Sequence, residues 1–229
     1  MYTYPPLAVE VATPLLALRG ASDGLLDDLV PLVRAGEALA EPAPFDDPMS
    51  LYEADPEVRV QRWLQGVWRG RGVVSEDFWR LHFVVVHEGR AVGMQDLIGQ
   101  QFNSFRFVAS FSWLAASARG RGLGREMRAA VLHLAFEGLG ADEAESEAFF
   151  DNRGSNRISE SMGYERNGTN WATRQGSAAL LQRWHLTRQA WVSRRRDDIA
   201  LQGVAPCRAA LGITTPPGRR AGNAGGRPS

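Results

Sequence analysis

The residues whose types and spacing most clearly suit ligand binding form one short stretch, RGRGLGR, at positions 119–125. Its glycines, Gly120, Gly122 and Gly124, allow positive φ angles and let the main chain approach a ligand closely. A helix is predicted directly behind them, and a helix N-terminus offers unpaired N–H groups and a positive dipole end. With Arg119, Arg121 and Arg125 adding positive charge, the stretch predicts a pyrophosphate-binding loop. A plain basic turn between a strand and a helix is the alternative.

The sequence excludes several other motifs that bind phosphates or supply a nucleophile. A dinucleotide fingerprint would need glycine where Arg125 or Met127 stands. All 26 basic residues are arginine, so a P-loop and a lysine Schiff base are both excluded. No GxSxG motif occurs, so the usual nucleophile elbow is missing. The four histidines show no HExxH spacing, and we therefore expect no metal site.

The composition bounds the partners and the compartment. The 229 residues carry a formal net charge of zero, which disfavours a nucleic-acid binder. No apolar run has the length of a membrane span, and the first residues lack the pattern of a secretory signal. A single cysteine, Cys207, suits a reducing compartment and is expected to be inert, so we predict a cytoplasmic protein.

The hydrophobic periodicity predicts the elements that position the glycine loop. Strands are expected over 12–19, 79–87, 90–100, 105–116, 143–150, from 163 onward and over 178–187. Helices are expected over 22–32, 57–68, 123–137 and 155–162. This order predicts one α/β domain over 1–211, with a mixed, mostly antiparallel sheet flanked by helices. The segment 212–229 is rich in Gly, Pro and Arg, and we predict a disordered tail.

Two spaced motifs resemble those of the GNAT acyltransferase superfamily. Arg119-x-x-Gly122-x-Gly124 resembles its Q/R-x-x-G-x-G/A motif, and NRGSNRISESMGY at 152–164 resembles its second conserved segment. The segment 13–19, Trp113-Leu114 and Leu186-Thr187 are similar to the branch that acetylates ribosomal proteins. The segments 77–79, 89–93, 126–132 and 150–152 are similar to a mycobacterial GNAT succinyltransferase.

The resemblance implies a fold and a cofactor site. It implies a bacterial enzyme with a central V-shaped splay between two parallel strands. Pantetheine would bind along the strand that ends at Trp113 and Leu114, and the pyrophosphate would bind at 119–125. Asn152 and Ser155 would contact the pantetheine or the thiol end, and both residue types also suit a helix N-cap.

Two positions that hold catalytic residues in many family members hold other residue types in this chain. Where many members place a carboxylate before the glycine loop, this chain has Val108 and Ala109, and Ser159 replaces a tyrosine that protonates the thiolate. We consider Asp96 as the base, with a solvated carboxylate as the alternative, and Ser159 as a proton donor. Substrate candidates are Arg106, Ser110 and Ser112, and Trp63, Trp68 and Trp79 could wall the pocket or pack in the core.

The predicted function follows from these residues. The chain would transfer a succinyl or acetyl group from acyl-CoA to a primary amine of a small molecule or peptide. An acetyltransferase for protein N-termini or antibiotics is a second hypothesis, and an acyl-CoA sensor without turnover is a third. Succinyl-CoA is expected to be preferred, and a homo-oligomer is left open.

Overall fold

The structure, a computed structural model, describes residues 4–46 and 49–214. In this part of the chain, strands β1 to β9 span Glu10–Ala12, Ala17–Gly20, Phe78–His87, Arg90–Gln100, Phe107–Leu114, Glu143–Phe149, Glu165–Arg174, Ser177–Thr187 and Ala200–Gln202. Helices α1 to α7 span Asp23–Arg34, Pro56–Gly72, Phe102–Phe105, Leu123–His133, Arg153–Ser161, Arg188–Val192 and Val204–Ala210.

The strands form one sheet in the order β7-β8-β6-β5-β4-β3-β2-β1-β9. Neighbouring strands run antiparallel, except that β5 and β6 run parallel. The predicted single α/β domain with a mixed, mostly antiparallel sheet is therefore confirmed. The predicted hairpin of β3 and β4 is also present, and its turn residues Glu88 and Gly89 both have positive φ.

The predicted first strand over 12–19 is wrong. The chain forms two short strands, β1 and β2, that pair with each other. Thr13 closes the turn between them, because its hydroxyl bonds to the carbonyl of Leu16 at 3.0 Å and accepts the Leu16 N–H at 3.1 Å. Pro14 lacks an N–H donor, which favours a turn over a continuous strand.

The two faces of the sheet are covered by different helices. Helices α1 and α2 pack on one face through a cluster that includes Leu29, Trp63 and Trp113. Helix α4 packs on the other face through Leu123 and Val131. The helix continues from α4 in wider turns over Leu134–Leu139, two residues beyond the predicted end at residue 137, and Gly140 caps it.

The parallel strands β5 and β6 pair over only three residues. The last pair joins Ala109 and Glu145, after which β5 stays bound to β4 as far as Leu114 and β6 stays bound to β8 as far as Phe149. The two strands therefore separate beyond Ala109. This is the predicted splay, and it opens the sheet where the cavities lie.

The predicted boundary at residue 211 falls inside a packed segment. Ile213 belongs to the core, and the side-chain amide of Asn103 donates to the carbonyl of Gly212 at 2.9 Å. Residues 215–229 of the predicted tail lie outside the described residues.

Candidate active site

The glycine loop presents five consecutive unpaired amides. Gly122 is the N-cap of α4, and its carbonyl accepts the N–H groups of Arg125 and Glu126. Among the described residues, none accepts a hydrogen bond from the N–H groups of 120–124. Gly120 and Gly122 have φ of 74° and 80°, and a Cβ added to either would meet no atom within 4 Å. Free amides facing open space at a helix N-terminus form an anion site.

The three arginines of the loop have different roles. Arg121 and Arg125 are exposed beside the amides and add positive charge there. The guanidinium of Arg119 instead donates to three carbonyls, of Leu114 at 3.0 Å, Leu39 at 2.8 Å and Glu37 at 2.9 Å. These bonds fix the loop to the chain after α1. Arg119 also lines the channel, and its contact with an anion stays a prediction.

A channel of about 290 Å³ extends from Arg119 and Gly124 of the loop into the splay, whereas Gly120, Arg121, Gly122 and Arg125 do not line it. The predicted cofactor residues Trp113, Leu114, Arg119, Gly124, Asn152 and Ser155 line it. Ser110 and Ser112 line it as well. The channel therefore brings most of the predicted cofactor residues to one place, although they come from β5, α4 and α5.

Asn152 has a structural role at the start of α5. Its side-chain oxygen accepts the N–H of Ser155 at 3.1 Å, and its amide donates to the carbonyl of Pro44 at 3.0 Å. The predicted N-cap role is therefore present. The same side chain also holds the segment around Pro44 over the channel.

A larger cavity of about 660 Å³ continues from the channel on the other side of the splay. Phe45 covers it, with its ring stacked on Tyr52 at 5.3 Å and edge-on to Phe111 at 5.2 Å between centroids. The cavity is lined mainly by β5, β6 and the segment 44–46, with two residues each from β7 and β8 and with Arg80 from β3. It offers space for a second substrate beside the cofactor channel.

The two cavities share one wall, and Glu147 is the ionisable residue among those that line both. The residues that line both are Pro44, Phe45, Ser110, Phe111, Ser146, Glu147 and Ala148. Glu147 is exposed, and it lies on β6 just past the last β5–β6 pair. Sequence reasoning missed this residue, although carboxylates at alternate positions 143, 145 and 147 indicated one charged strand face.

Asp96, the predicted base, lies in a buried ion-pair cluster. Its side chain is 1% exposed, and it lines neither cavity. Nε and Nη2 of Arg80 donate to its Oδ2 at 2.8 and 2.6 Å, and Nδ1 of His82 lies 3.1 Å from its Oδ1. Burial acts to raise the pKa of Asp96, but His82 and Arg80 outweigh it and hold the pKa below its ordinary value. A low pKa and no access to substrate contradict a role as base.

Two further predicted roles are corrected by burial. Ser159 is fully buried and does not line the channel, because it lies on α5 beneath Ser155. It is therefore badly placed to donate a proton to a thiolate. Arg106 is 7% exposed and lies between α3 and β5, where its Nη2 donates to the carbonyl of Thr214 at 3.0 Å. It lines neither cavity and is unavailable to a substrate.

Trp63, Trp68 and Trp79 line neither cavity. Trp63 and Trp79 are fully buried in the core, and Trp68 is half exposed with its indole N–H donating to Asp23 at 3.2 Å. Burial raises the pKa of Cys207 to about 12, which suits an inert thiol. Within residues 4–46 and 49–214, no cluster of His, Cys, Asp or Glu could hold a metal ion, and no helix is long and apolar enough to cross a membrane.

Comparison with known proteins identifies the family. A model of the acetyltransferase (GNAT) domain matches residues 19–165. The chain belongs to the GNAT acetyltransferase family. The match covers more than half of the chain, from β2 through α5 to the start of β7, and includes the glycine loop and every residue that lines the channel.

Solved GNAT structures share the fold of this GNAT chain at low sequence identity. One is the ribosomal L7/L12 alpha-N-protein acetyltransferase RimL in complex with coenzyme A, at 16% identity and TM-score 0.60, covering 78% of this chain and 97% of that one. Another is a GCN5-related N-acetyltransferase from Brucella melitensis, at 15% identity and TM-score 0.62, covering 81% of each chain. A third is the microcin C7 self-immunity acetyltransferase MccE with acetyl-CoA and AMP, at 12% identity and TM-score 0.58, covering 76% of this chain and 93% of that one.

Proposed function

We propose that the protein transfers an acyl group from acyl-CoA to a primary amine. The observation that carries this proposal is the meeting of two cavities at one wall that contains Glu147. One cavity reaches Gly124, the last residue of a run of free amides that fits a pyrophosphate. The other has room for an acceptor. A sensor that only binds acyl-CoA would have no need of the second cavity.

The residues present fit coenzyme A. The amides of 120–124, with Arg121 and Arg125, would hold the pyrophosphate. The unpaired edge of β5 beyond Ala109 would bind the pantetheine arm through its backbone, and Ser155 would line its other side. When bound, acyl-CoA would supply the acyl group as a thioester.

Glu147 is the group best placed to remove the amine proton. A primary amine attacks only when it is neutral, and it must lose a further proton as the new bond forms. Glu147 is ionisable, exposed and at the junction, whereas Asp96 is sealed off by Arg80 and His82. The remaining contribution of the chain is positioning, since the splay and the Phe45 segment hold two substrates side by side.

The finer assignments rest on the resemblance. A preference for succinyl-CoA over acetyl-CoA is proposed on the segments 77–79, 89–93, 126–132 and 150–152. Arg106 does not support this preference, because it is buried and lines neither cavity. A cytoplasmic bacterial enzyme acting on a small molecule or a peptide stays a prediction, as does its oligomeric state.

A binding screen followed by product analysis tests the proposal. The protein is titrated with acetyl-CoA and succinyl-CoA, and then incubated with each and a panel of amines and N-terminal peptides. We expect binding and a product heavier by one acyl group in the mass spectrum. Binding without any acylated amine would favour the sensor hypothesis and contradict the proposed function.

A further inference from the structure

We propose that Arg80 is the carboxylate-binding residue of the larger cavity, and that a substrate of this protein carries a carboxylate. This inference rests on the proposed function, since it assigns a chemical group to the substrate that enters that cavity. Arg80 and Arg183 both line this cavity, whereas Arg106 does not. Nη2 of Arg183 donates to Glu145 at 3.4 Å, so Arg183 already has a carboxylate partner on the neighbouring strand. Arg80 lies on β3, and its side chain lines the cavity while remaining 17% exposed.

The guanidinium of Arg80 is held with one edge free. Its Nε and one N–H of Nη2 donate to Oδ2 of Asp96 at 2.8 and 2.6 Å, which uses the side edge of the group. Among the described residues, Nη1 makes no hydrogen bond. The end edge, made of Nη1 and the second N–H of Nη2, therefore remains free. That edge matches the two oxygens of a carboxylate.

The surroundings of Arg80 keep this edge in place. Its Cζ lies 5.5 Å from the ring centroid of Phe111, a contact that favours a cation over the ring face. Asp96 is fixed in turn by burial and by His82. A guanidinium that is already immobilised loses little conformational entropy when it binds a carboxylate. This is the arrangement of a preorganised binding group.

The sheet register separates opposite charges across the cavity. Arg80 pairs with Ile98, Ile98 with Ala109, and Ala109 with Glu145, so their side chains share one face of the sheet. Arg80 and Glu145 therefore lie at the two ends of this row, about 14 Å apart at their backbones. Glu147 extends the acidic side by one step along β6. At the acidic end, Arg183 pairs with Glu145 at 3.4 Å. The free edge of Arg80, at the other end of the row, is the group left to bind a substrate carboxylate.

The carboxylate could belong to the acyl group or to the acceptor, and two pairs of probes distinguish these sources. Succinyl-CoA is compared with butyryl-CoA, which has the same chain length without the charge. L-alanine is compared with L-alaninamide on protein saturated with CoA. Dissociation constants are measured by calorimetry for the wild type, for Arg80→Lys, and for Arg106→Lys as a control outside both cavities.

We expect the wild type to prefer the carboxylate probe by about tenfold or more in one pair. Arg80→Lys should lose this preference, because one ammonium lacks the two-pronged edge while it still pairs with Asp96. Arg106→Lys should keep it. The pair that responds identifies the source. No preference in either pair, or a preference that survives in Arg80→Lys, would overturn the proposal.

A second variant guards against misfolding of Arg80→Lys. Ile98→Glu places a resident carboxylate on the cross-strand neighbour of Arg80, within reach of its free edge, and leaves the Asp96 pair intact. It should abolish the preference, whereas Ile98→Gln should retain it; equal behaviour of the two variants would count against the proposal. These tests measure binding, so an absence of amine acylation would contradict the proposed function and not this inference.

Discussion

The carboxylates of Glu147 and Asp96 lie on the same face of the sheet in opposite environments. Glu147 is exposed at the junction of the two cavities, whereas Asp96 is sealed against His82 and paired to Arg80. Proton transfer requires contact with the substrate, so the exposed carboxylate suits chemistry. The buried carboxylate suits the support of Arg80. Separate substitutions of the two should therefore have different effects.

Replacing Glu147 tests the assignment of the base. Glu147→Gln should lower kcat by about 100-fold or more, which is the scale of general-base catalysis, and should leave the dissociation constant of CoA unchanged. Glu165→Gln, at an exposed carboxylate on β7, is the matched control and should retain wild-type kcat. A Glu147→Gln variant with wild-type turnover would remove Glu147 from the mechanism.

Replacing Asp96 tests its structural role. Asp96→Asn should destabilise the fold by about 3 kcal/mol at neutral pH, because it leaves Arg80 and His82 without their buried partner. The folded pKa of Asp96 is lowered, so its contribution is present above the unfolded value of about 3.9 and is lost as the pH falls through the folded pKa. Thermal melts should therefore differ most at neutral pH and converge in acid. A constant difference across pH would contradict this assignment.

Which residues line the site was only partly predictable from the sequence. Ser110 and Ser112 do line the channel, because they lie on the strand beside the glycine loop. Arg106 directly precedes this strand and is turned away from the channel, and the residue that accepts its hydrogen bond, Thr214, is 108 positions away. The pairing of Asp96 with His82 depends on the register between β3 and β4. Long-range contacts of this kind leave no local pattern in a single sequence.

At the scale of elements, the splay and the glycine loop form the cofactor site together. Loop 119–125 is held by Arg119 against the segment that follows α1, and the loop leads directly into α4. Its amides are free because the helix begins there. The edge of β5 is free because β6 separates from it after Ala109.

Replacing Gly122 tests the loop. Gly122→Val should raise the dissociation constant of CoA at least about tenfold, because its φ of 80° is strained for a β-branched residue and its side chain would fill the open space before the amides. Gly176→Val is a matched control, since Gly176 has φ of 84° and equally open space in the turn between β7 and β8. CoA affinity by calorimetry should be unchanged in that control. A wild-type affinity of Gly122→Val for CoA would contradict the assignment of the loop. An equal loss of CoA affinity in both variants would attribute the loss to backbone strain.

Elements with strong local signals were predictable, and those with long-range causes were not. The hairpin of β3 and β4 and helix α4 follow from alternation, turn residues and an apolar stripe. The stretch over 12–19 has the composition of a strand, but the hydroxyl of Thr13 closes a turn inside it. The splay was expected from the resemblance, since pairing between β5 and β6 has no signature in either strand alone.

At the scale of the whole molecule, the C-terminal part closes the sheet and the core. β9 pairs with β1 at one edge, and α7 with the residues after it reaches back to α3. The side-chain oxygen of Asn103 accepts the N–H of Thr214 at 3.1 Å. The packed domain therefore reaches at least Thr214.

Truncation tests this boundary. A chain ending at residue 211 should lose about 2 kcal/mol or more of unfolding free energy, because the buried Ile213 and the bonds to Asn103 and Arg106 are removed. A chain ending at residue 214 is the control and should match the full chain. Denaturant unfolding gives both values. Equal stability of the two truncations would place the boundary at residue 211 after all.

Amine-dependent release of the CoA thiol tests most directly whether acyl transfer occurs where the two cavities meet. The wild-type protein is saturated with acetyl-CoA or succinyl-CoA, and thiol release is followed as amines are added one by one. We predict that at least one amine accelerates release, and that Glu147→Gln abolishes the acceleration while its CoA affinity stays at the wild-type value. Tight CoA binding with no acceleration by any amine would contradict the account.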